Sequence, residues 1–571
     1  MDLSDQRAFF EESFTFCGRT IRGRFLLPSG IRCVHGSVID RCFAEIDSVG
    51  VITTKSISAQ PRLGYREPIY ARYSHGSYIN AVGLANPGAD LFLEELQHFP
   101  VPSDKFLLVS IFGADEEEFV NAAKILAPVA NGFELNMSCP HAKGYGIQIG
   151  QDIELLRSIT SAVAQSVSLP LIVKLSAVLP QIGETARAAI DAGASGICVT
   201  NTIGPSIVSV GKSPILSHRF GGLSGSAIRP LALRAVETVR TAIGPEPAII
   251  GMGGIGTREH VLQFRELGAD VFGVGSAATG LDTPQLRVFF SSLQSSLTSD
   301  EPLSLDSDCA DTSVSMAYHH CRVERRRHLS PRLFELTLDR LPGNPEPGQL
   351  SGKFYFLCVP GVGEKPFAIC SAAERTIVVK EVGLFTEYLA KMPLETELLI
   401  RGPYGRFFPG IKDVDQYVLV GGGTGTASLL EIGSQLRTRN SVRFIVGARS
   451  ASELIAIDNL RQLGPTAVAT DDGTCGFSGT VGELLARTLQ DIPQEDCKSL
   501  AFVNCGPEPM IHACAAIQRR HVQDHHIICA VEYRTSCGVG ICGKCASPDG
   551  HLSCVDGPFM PIAAFEARCK N

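Results

Sequence analysis

Up to about residue 293 the chain repeats one phrase eight times, a short β-branched or aliphatic run followed by a longer stretch of helical pattern. The runs are FLLPSG, VITTKSI, LLVSIFG, GFELNMSC, LIVKLS, GICVTNT, AIIGMGG and VFGVGSA. A helix after each strand returns the chain to the starting edge, so the strands pair in parallel, and eight such units predict a closed (β/α)8 TIM barrel. Sites in that fold lie at the C-terminal strand ends. There the sequence places Lys55, Asn136, Ser138, Lys174, Asn201 and Thr202. Polar residues end many strands simply because loops are wet, but so consistent a pattern points to a site.

Two glycine groups, Gly251 to Gly254 after the seventh run and Gly273 to Ser276 in the eighth, match the barrel's recurrent phosphate site, where bare amides and a short helix meet an anion. With Lys55 and Lys174 at neighbouring strand ends, this suggests flavin mononucleotide (FMN), whose reduced ring needs cationic or N–H partners. Cys139 ends the fourth run and precedes the Pro- and Gly-rich stretch PHAKGYGIQIG, a candidate lid. A cysteine facing a flavin across a substrate can take a proton from carbon while hydride leaves the adjacent carbon. The alternative is a buried structural thiol.

Residues 294–315 are Ser- and Asp-rich without apolar periodicity and read as a linker after a first domain at 1–293. Beyond it, LFELTLD, FYFLCVP, TIVVKEV and LLIRGPYGRFF predict a small antiparallel β-barrel at 316–414. YVLVGGGTGTASLLEIG, then FIVGARS, AVATDDG and FVNCGPEPM, predict a dinucleotide-binding α/β domain at 415–528. In the last segment, 529–571, Cys537, Cys542, Cys545 and Cys554 stand in CGVGICGKCASPDGHLSC. That is the plant-type [2Fe–2S] ligand spacing, and Gly538, Gly540 and Gly543 allow backbone amides to approach sulfur. Structural zinc prefers two separated Cys pairs, which disfavours that reading. Disulfides are disfavoured because most of the other cysteines, of nineteen in all, sit singly in apolar runs, as in reducing compartments.

The first half resembles the dihydroorotate dehydrogenases, specifically their NAD-linked (class 1B) catalytic subunit. The resemblance runs over residues 20–285 and rests on TTKS, INAVGLANPG, LNMSCP, VKLS, TNT, FGGLSG, GMGG and VGSA. It implies oxidation of dihydroorotate to orotate in pyrimidine biosynthesis, with Cys139 as the base. Lys55, Asn80, Asn136, Asn201 and Thr202 would hold the ring and its carboxylate, with backbone donors from Val82, Gly83 and Leu84. Ser29, Gly30, Lys55, Ser56, Asn136, Lys174, Thr200, Gly225, Gly253, Gly254, Gly275 and Ser276 would hold FMN. The chain departs from the pattern at His141, where an Asn is usual. SCPH is also similar to dihydropyrimidine dehydrogenase, which keeps dihydrouracil or another cyclic carbonyl compound open as substrate.

The second half resembles the electron-transfer subunit of the same class, so the chain reads as the two subunits fused. That resemblance implies FAD at Lys365, Pro366, Phe367, Val382, Gly383, Thr386 and Glu532. NAD would lie at Gly422, Gly423, Thr424, Asp471, Cys505, Gly506 and Pro507, with electrons passing from FMN through the cluster to FAD and NAD⁺. KPFAIC replaces the family's Arg-Pro-containing segment, exchanging a bidentate fork for a point charge. A further alternative is an NADH-fed electron donor to a partner protein. The resemblance also implies a homodimer through the barrels. A net charge of −8 without a basic block argues against a nucleic-acid partner. The absence of a signal-peptide pattern or an apolar run of spanning length predicts no membrane partner and a cytoplasmic protein.

Overall fold

A computed structural model describes residues 3–138, 147–299, 315–408, 410–490, 499–531 and 533–566. The chain divides into two compact units. The first is Met1–Ser313 with Val539–Gly543, and the second, apart from the extreme C-terminus, is Val314–Gly538 with Lys544–Cys569.

In the first unit all eight expected runs are strands of one closed parallel barrel: β1 (Phe25–Leu27), β2 (Val49–Thr53), β3 (Phe106–Ile111), β4 (Gly132–Asn136), β5 (Leu171–Leu175), β6 (Gly196–Val199), β7 (Ala248–Met252) and β8 (Val271–Gly273). Each pairs with its successor, and β8 returns to β1 through Phe272 opposite Phe25 and Gly273 opposite Leu26. The strands read as continuous apolar runs because both their faces are buried, one against the helices and one inside the barrel. The interior is packed by Leu26, Val51, Leu108, Ile172, Cys198, Ile250 and Met252. Phe16 and Ile21, from the N-terminal hairpin Phe14–Phe16 and Arg19–Ile21, join the same cluster and plug the end where the strands begin. An antiparallel sheet of Tyr70–Ser74, Ser77–Asn80, Phe220–Gly225 and Ile203–Ile207 is built from the loops after β2 and β6. The last barrel helix, Thr283–Thr298, overruns the boundary expected at 293, because Leu286, Phe290, Leu293 and Leu297 keep a buried helical stripe among its serines.

The second unit begins with a closed antiparallel barrel of six strands: β9 (His319–Ser330), β10 (Leu333–Leu338), β11 (Phe354–Val359), β12 (Gly363–Ser371), β13 (Thr376–Lys380) and β14 (Glu397–Tyr404). Its interior holds Leu336, Tyr355, Leu357, Ile369, Ile377 and Ile400. A seven-stranded sheet follows: β15 (Gln416–Gly422), β16 (Ser441–Ala448), β17 (Thr466–Thr470), β18 (Phe477–Ser478), β19 (Leu500–Cys505), β20 (Ile527–Ala530) and β21 (Met560–Pro561). The order β18-β17-β16-β15-β19-β20-β21 puts the reversal of strand order at β15. β20 and the antiparallel β21 both lie in this sheet, so the segment expected to form a separate cluster domain from residue 529 supplies sheet strands at both ends.

Glu431, on the helix Thr426–Leu436, joins the six-stranded barrel to the sheet. Its buried carboxylate accepts from the N–H of Gly348 at 2.8 Å and of Ala372 at 2.7 Å. Burial raises its pKa, and the backbone donors pull it back without cancelling the rise. Glu431→Ala strips acceptors from two inward-facing amides and is expected to cost about 2–4 kcal/mol in urea unfolding.

Candidate active site

The C-terminal rim of the eight-stranded barrel carries a connected set of polar side chains. Ser56, after β2, contacts Ser29 at 3.3 Å and Ser110 at 2.9 Å through its hydroxyl, and accepts from Asn136 Nδ2 at 2.9 Å. Ser110 donates to Glu134 Oε1 at 2.9 Å, and the other Glu134 oxygen faces Lys174 Nζ at 3.5 Å. On the other branch, Asn201 Nδ2 donates to Asn136 Oδ1 at 3.2 Å and Ser138 Oγ at 3.0 Å. The N–H of Thr202 donates to Asn201 Oδ1 at 2.8 Å. Residues separated by more than 170 positions in sequence thus meet in one network.

The hydrogen-bond inventory decides what each amide has left to offer. Both Nδ2 hydrogens of Asn201 are taken, so it presents only an acceptor, whereas Asn136 keeps one donor and one lone pair. Thr200 is spent on structure, its hydroxyl accepting from the Ala177 amide at 2.6 Å and donating to the Asn201 carbonyl at 3.1 Å.

Lys174 and Glu134 are 4% and 0% exposed. Burial is the largest single influence on Lys174 and pulls its pKa down, but the Glu134 charge and hydrogen bond, together with Cys198 and Cys33, outweigh it and hold the ammonium above its ordinary range. Their separation of 3.5 Å exceeds that of a tight charge-assisted hydrogen bond, so the carboxylate holds the cation without saturating its donors. Glu134 was not singled out from sequence. The available signal was a carboxylate inside the apolar run GFELN, one strand away from a lysine in LIVKLS. Cys33 was likewise missed: its thiol accepts from the Gly30 amide at 2.9 Å and its carbonyl from the Lys55 amide at 2.9 Å, tying the Ser29–Gly30 turn to Lys55.

The expected phosphate glycines converge. Gly225, Gly253 and Gly254 have φ of +89°, +137° and +75°. A Cβ on Gly254 would stand 2.7 Å from the Gly225 carbonyl, and one on Gly275 3.2 Å from Pro28. At Gly225, Gly253 and Gly254 only a residue without a side chain fits, and Gly275 is tightly packed. Ser276 opens the short 3₁₀ turn Ser276–Ala278. Asn80 ends its strand opposite Gly222. The carbonyls of Val82 and Gly83 are bound by the Tyr65 amide and Arg62 Nε, each at 3.0 Å, while Gly83 and Leu84 turn the chain at φ of +72° and +56°. Cys139 and His141 lie outside the described residues, as does Glu532.

In the second unit, Lys365, Pro366 and Phe367 lie on β12 opposite Leu357, Phe356 and Tyr355. Phe367 stacks on Phe385 at 6.3 Å, which brings this strand beside Val382, Gly383 and Thr386. The Thr386 hydroxyl there accepts from the amides of Val382 and Gly383 at 3.0 and 3.2 Å. At the sheet's switch point Gly421 is in register with Cys505, and a Cβ on Gly506 would stand 3.1 Å from the Gly422 amide. Gly422, Gly423, Thr424, Cys505, Gly506 and Pro507 therefore line the C-terminal ends of β15 and β19, where this architecture takes a nucleotide, and Asp471 follows β17.

Cys537, Cys545 and Cys554 are each 1% exposed, Cys542 is half-buried, and Cys554 exchanges side-chain hydrogen bonds with Cys537 and Cys545. Gly538, Gly540 and Gly543 hold φ of +79°, +69° and +72°. Among the described residues, no three His, Cys, Asp or Glu side chains form a metal-holding group, and no helix is long and apolar enough to cross a membrane. Cys554, paired with Cys537 and with Cys545 on a loop with three left-handed glycines, offers the thiol donors that an iron–sulfur cluster takes.

The first unit is thus a (β/α)8 barrel with a lysine- and amide-lined mouth beside a glycine cradle. The family model for dihydroorotate dehydrogenase matches residues 13–294. The dihydroorotate dehydrogenase B (NAD(+)) catalytic subunit of Pyrococcus abyssi is 39% identical over 265 residues, 46% of this chain and 85% of that protein. Its counterpart in Methanocaldococcus jannaschii is 37% identical over 264 residues, 46% of this chain and 85% of that protein. A solved dihydroorotate dehydrogenase from Eimeria tenella, in complex with ferulenol, aligns at 22% identity and a TM-score of 0.41, covering 47% of this chain and 79% of that one. The chain belongs to the dihydroorotate dehydrogenase family.

Glu134→Ala leaves the Lys174 ammonium buried without its carboxylate and is expected to cost about 3–5 kcal/mol in reversible unfolding. A loss below about 1 kcal/mol would mean that the pair does not hold the rim.

Proposed function

We propose that the chain oxidises dihydroorotate to orotate in pyrimidine biosynthesis and passes the electrons to NAD⁺ within one polypeptide. The observation that carries the reading is the rim network joining Ser56, Asn136, Asn201, Glu134 and Lys174 in a chain of this family. When bound, FMN would supply the hydride acceptor, the [2Fe–2S] cluster a one-electron conduit and FAD the hydride donor to NAD⁺.

The chain's own residues divide the remaining work. Cys139 takes a proton from a ring carbon as hydride leaves its neighbour. Lys55 and the amides of Val82, Gly83 and Leu84 bind the substrate carboxylate, an anion suited to bare N–H groups and a cation. Asn80 and Thr202 bind the ring. Asn136 offers it a donor and an acceptor, and Asn201 accepts from a ring N–H. Lys174, steadied by Glu134, provides positive charge where reduced flavin is electron-rich. Gly225, Gly253, Gly254, Gly275 and Ser276 cradle the flavin phosphate, with Ser29, Gly30, Ser56 and Thr200 shaping the pocket around the ring.

In the second unit Lys365, Pro366, Phe367, Val382, Gly383, Thr386 and Glu532 hold FAD. Gly422, Gly423, Thr424, Asp471, Cys505, Gly506 and Pro507 hold NAD, and the four cysteines hold the cluster. Three positive-φ glycines among buried thiols support that last assignment. The chain would pair through its barrels, so a strictly monomeric mass in solution would refute that arrangement.

The test is anaerobic mixing of the reconstituted chain with dihydroorotate, and separately with dihydrouracil, while following flavin bleaching and NADH formation. Bleaching and NADH with dihydroorotate alone are expected. Bleaching only with dihydrouracil would refute the substrate assignment and make His141 a specificity marker. Flavin reduction by NADH alone would leave a donor to a partner protein. Cys139→Ala is expected to bind orotate and lose at least about 100-fold in the rate of flavin bleaching, the usual scale of general-base catalysis.

A further inference from the structure

The six-stranded barrel buries an ion pair on its outer face. Arg401, on β14, is 1% exposed, and its Nε and Nη2 donate to the two oxygens of Glu364, on β12, at 2.8 and 2.6 Å. Tyr318 donates its hydroxyl to the same carboxylate at 2.8 Å. The opposite edge of the guanidinium does something else: Nη1 donates to the Tyr404 hydroxyl at 2.9 Å and to the backbone carbonyl of Cys537 at 3.0 Å. Phe356 lies under the cation at 4.0 Å. The next residue of the loop is fitted to the same platform, since a Cβ on Gly538 would stand 2.7 Å from Phe356 and 3.3 Å from Tyr404.

A fully buried ion pair adds little net stability, because desolvation offsets the attraction. Its informative property here is orientation. The carboxylate occupies one edge of the fork, so the pair is a dipole whose positive end meets the backbone carbonyl of Cys537, the first cysteine of the loop. No other residue type supplies this geometry, since a lysine ammonium has no second edge.

We propose that Arg401 is the positioning residue of the iron–sulfur loop: clamped by Glu364 and Tyr404, it pins the Cys537 carbonyl and sets a buried positive charge beside the cluster, raising its reduction potential. The inference rests on the cluster reading given above. Reduction adds a negative charge to the cluster, and a nearby cation stabilises that state more than the oxidised one, so the potential rises.

The test uses the full-length chain carrying its flavins and cluster, comparing wild type with Arg401→Met/Glu364→Gln, which removes both charges together and leaves neither stranded. FAD content and the rate of FAD reduction by NADH report that the fold is intact. The expected result is a cluster midpoint potential more negative than wild type in an EPR-monitored titration, with iron lost to a chelator roughly 10- to 100-fold faster, the scale of outer-shell effects on metal sites. Arg401→Lys keeps the charge and is expected to shift the potential less while still speeding iron loss. Wild-type potential and chelator resistance in both variants would overturn the proposal. A wild-type chain that takes up no [2Fe–2S] cluster would overturn the cluster reading itself, a result visible before any variant is made.

Discussion

Closure of the eight-stranded ring is the constraint on which the site depends. Until β8 pairs with β1 through Phe272 and Gly273, the residues at the strand ends belong to an open sheet with two unpaired edges. Closure turns that row into a rim whose curvature lets Asn136 at the end of β4 meet Asn201 after β6, two strands on, while Ser29 after β1 meets Ser56 after β2 across directly paired strands. The residues on neighbouring strands then select one another by size and polarity. Glu134 and Lys174 tolerate burial because each compensates the other, and Ser110 occupies the second carboxylate oxygen.

The same reasoning explains what could be read from sequence. Strands buried on both faces leave apolar words such as LLVSIF, and their eightfold alternation with longer helical stretches made all eight legible. The antiparallel sheet at the rim was not. Its strands Ile203–Ile207 and Phe220–Gly225 are glycine-containing and half exposed, and their partners are supplied by distant loops. β21 escaped notice because two residues, one of them proline, carry no periodicity. Residue types at strand ends revealed where polar groups gather, but not how each spends its hydrogen bonds. Thr200 and Asn201 look alike in the word TNT, yet the hydroxyl of one braces the strand ends and the amide of the other joins the rim network.

The second unit follows a different logic. Its sheet has a single reversal of strand order, at β15, and the backbone there is bare: a Cβ on Gly422 would collide with the Met510 sulfur, and one on Gly506 would stand 3.1 Å from the Gly422 amide. Glu431 lies on the helix that starts from this bare turn and holds two amides of the six-stranded barrel. The helix that follows the glycine turn is thereby the element that fixes the barrel's position against the sheet.

β12 has one more property worth following. Neighbouring side chains on a strand face opposite ways, so Glu364 lies with Arg401 outside the barrel while Lys365 and Phe367 face the interior, where Phe367 packs. Substitution can therefore alter one face and leave the other intact, as an exchange of Lys for Arg at 365 would. Insertion or deletion of a single residue ahead of Glu364, unless a bulge absorbs it, trades the two faces along the rest of the strand. The register of this strand, and not only its composition, thus keeps Glu364 with Arg401 and Phe367 with the barrel interior.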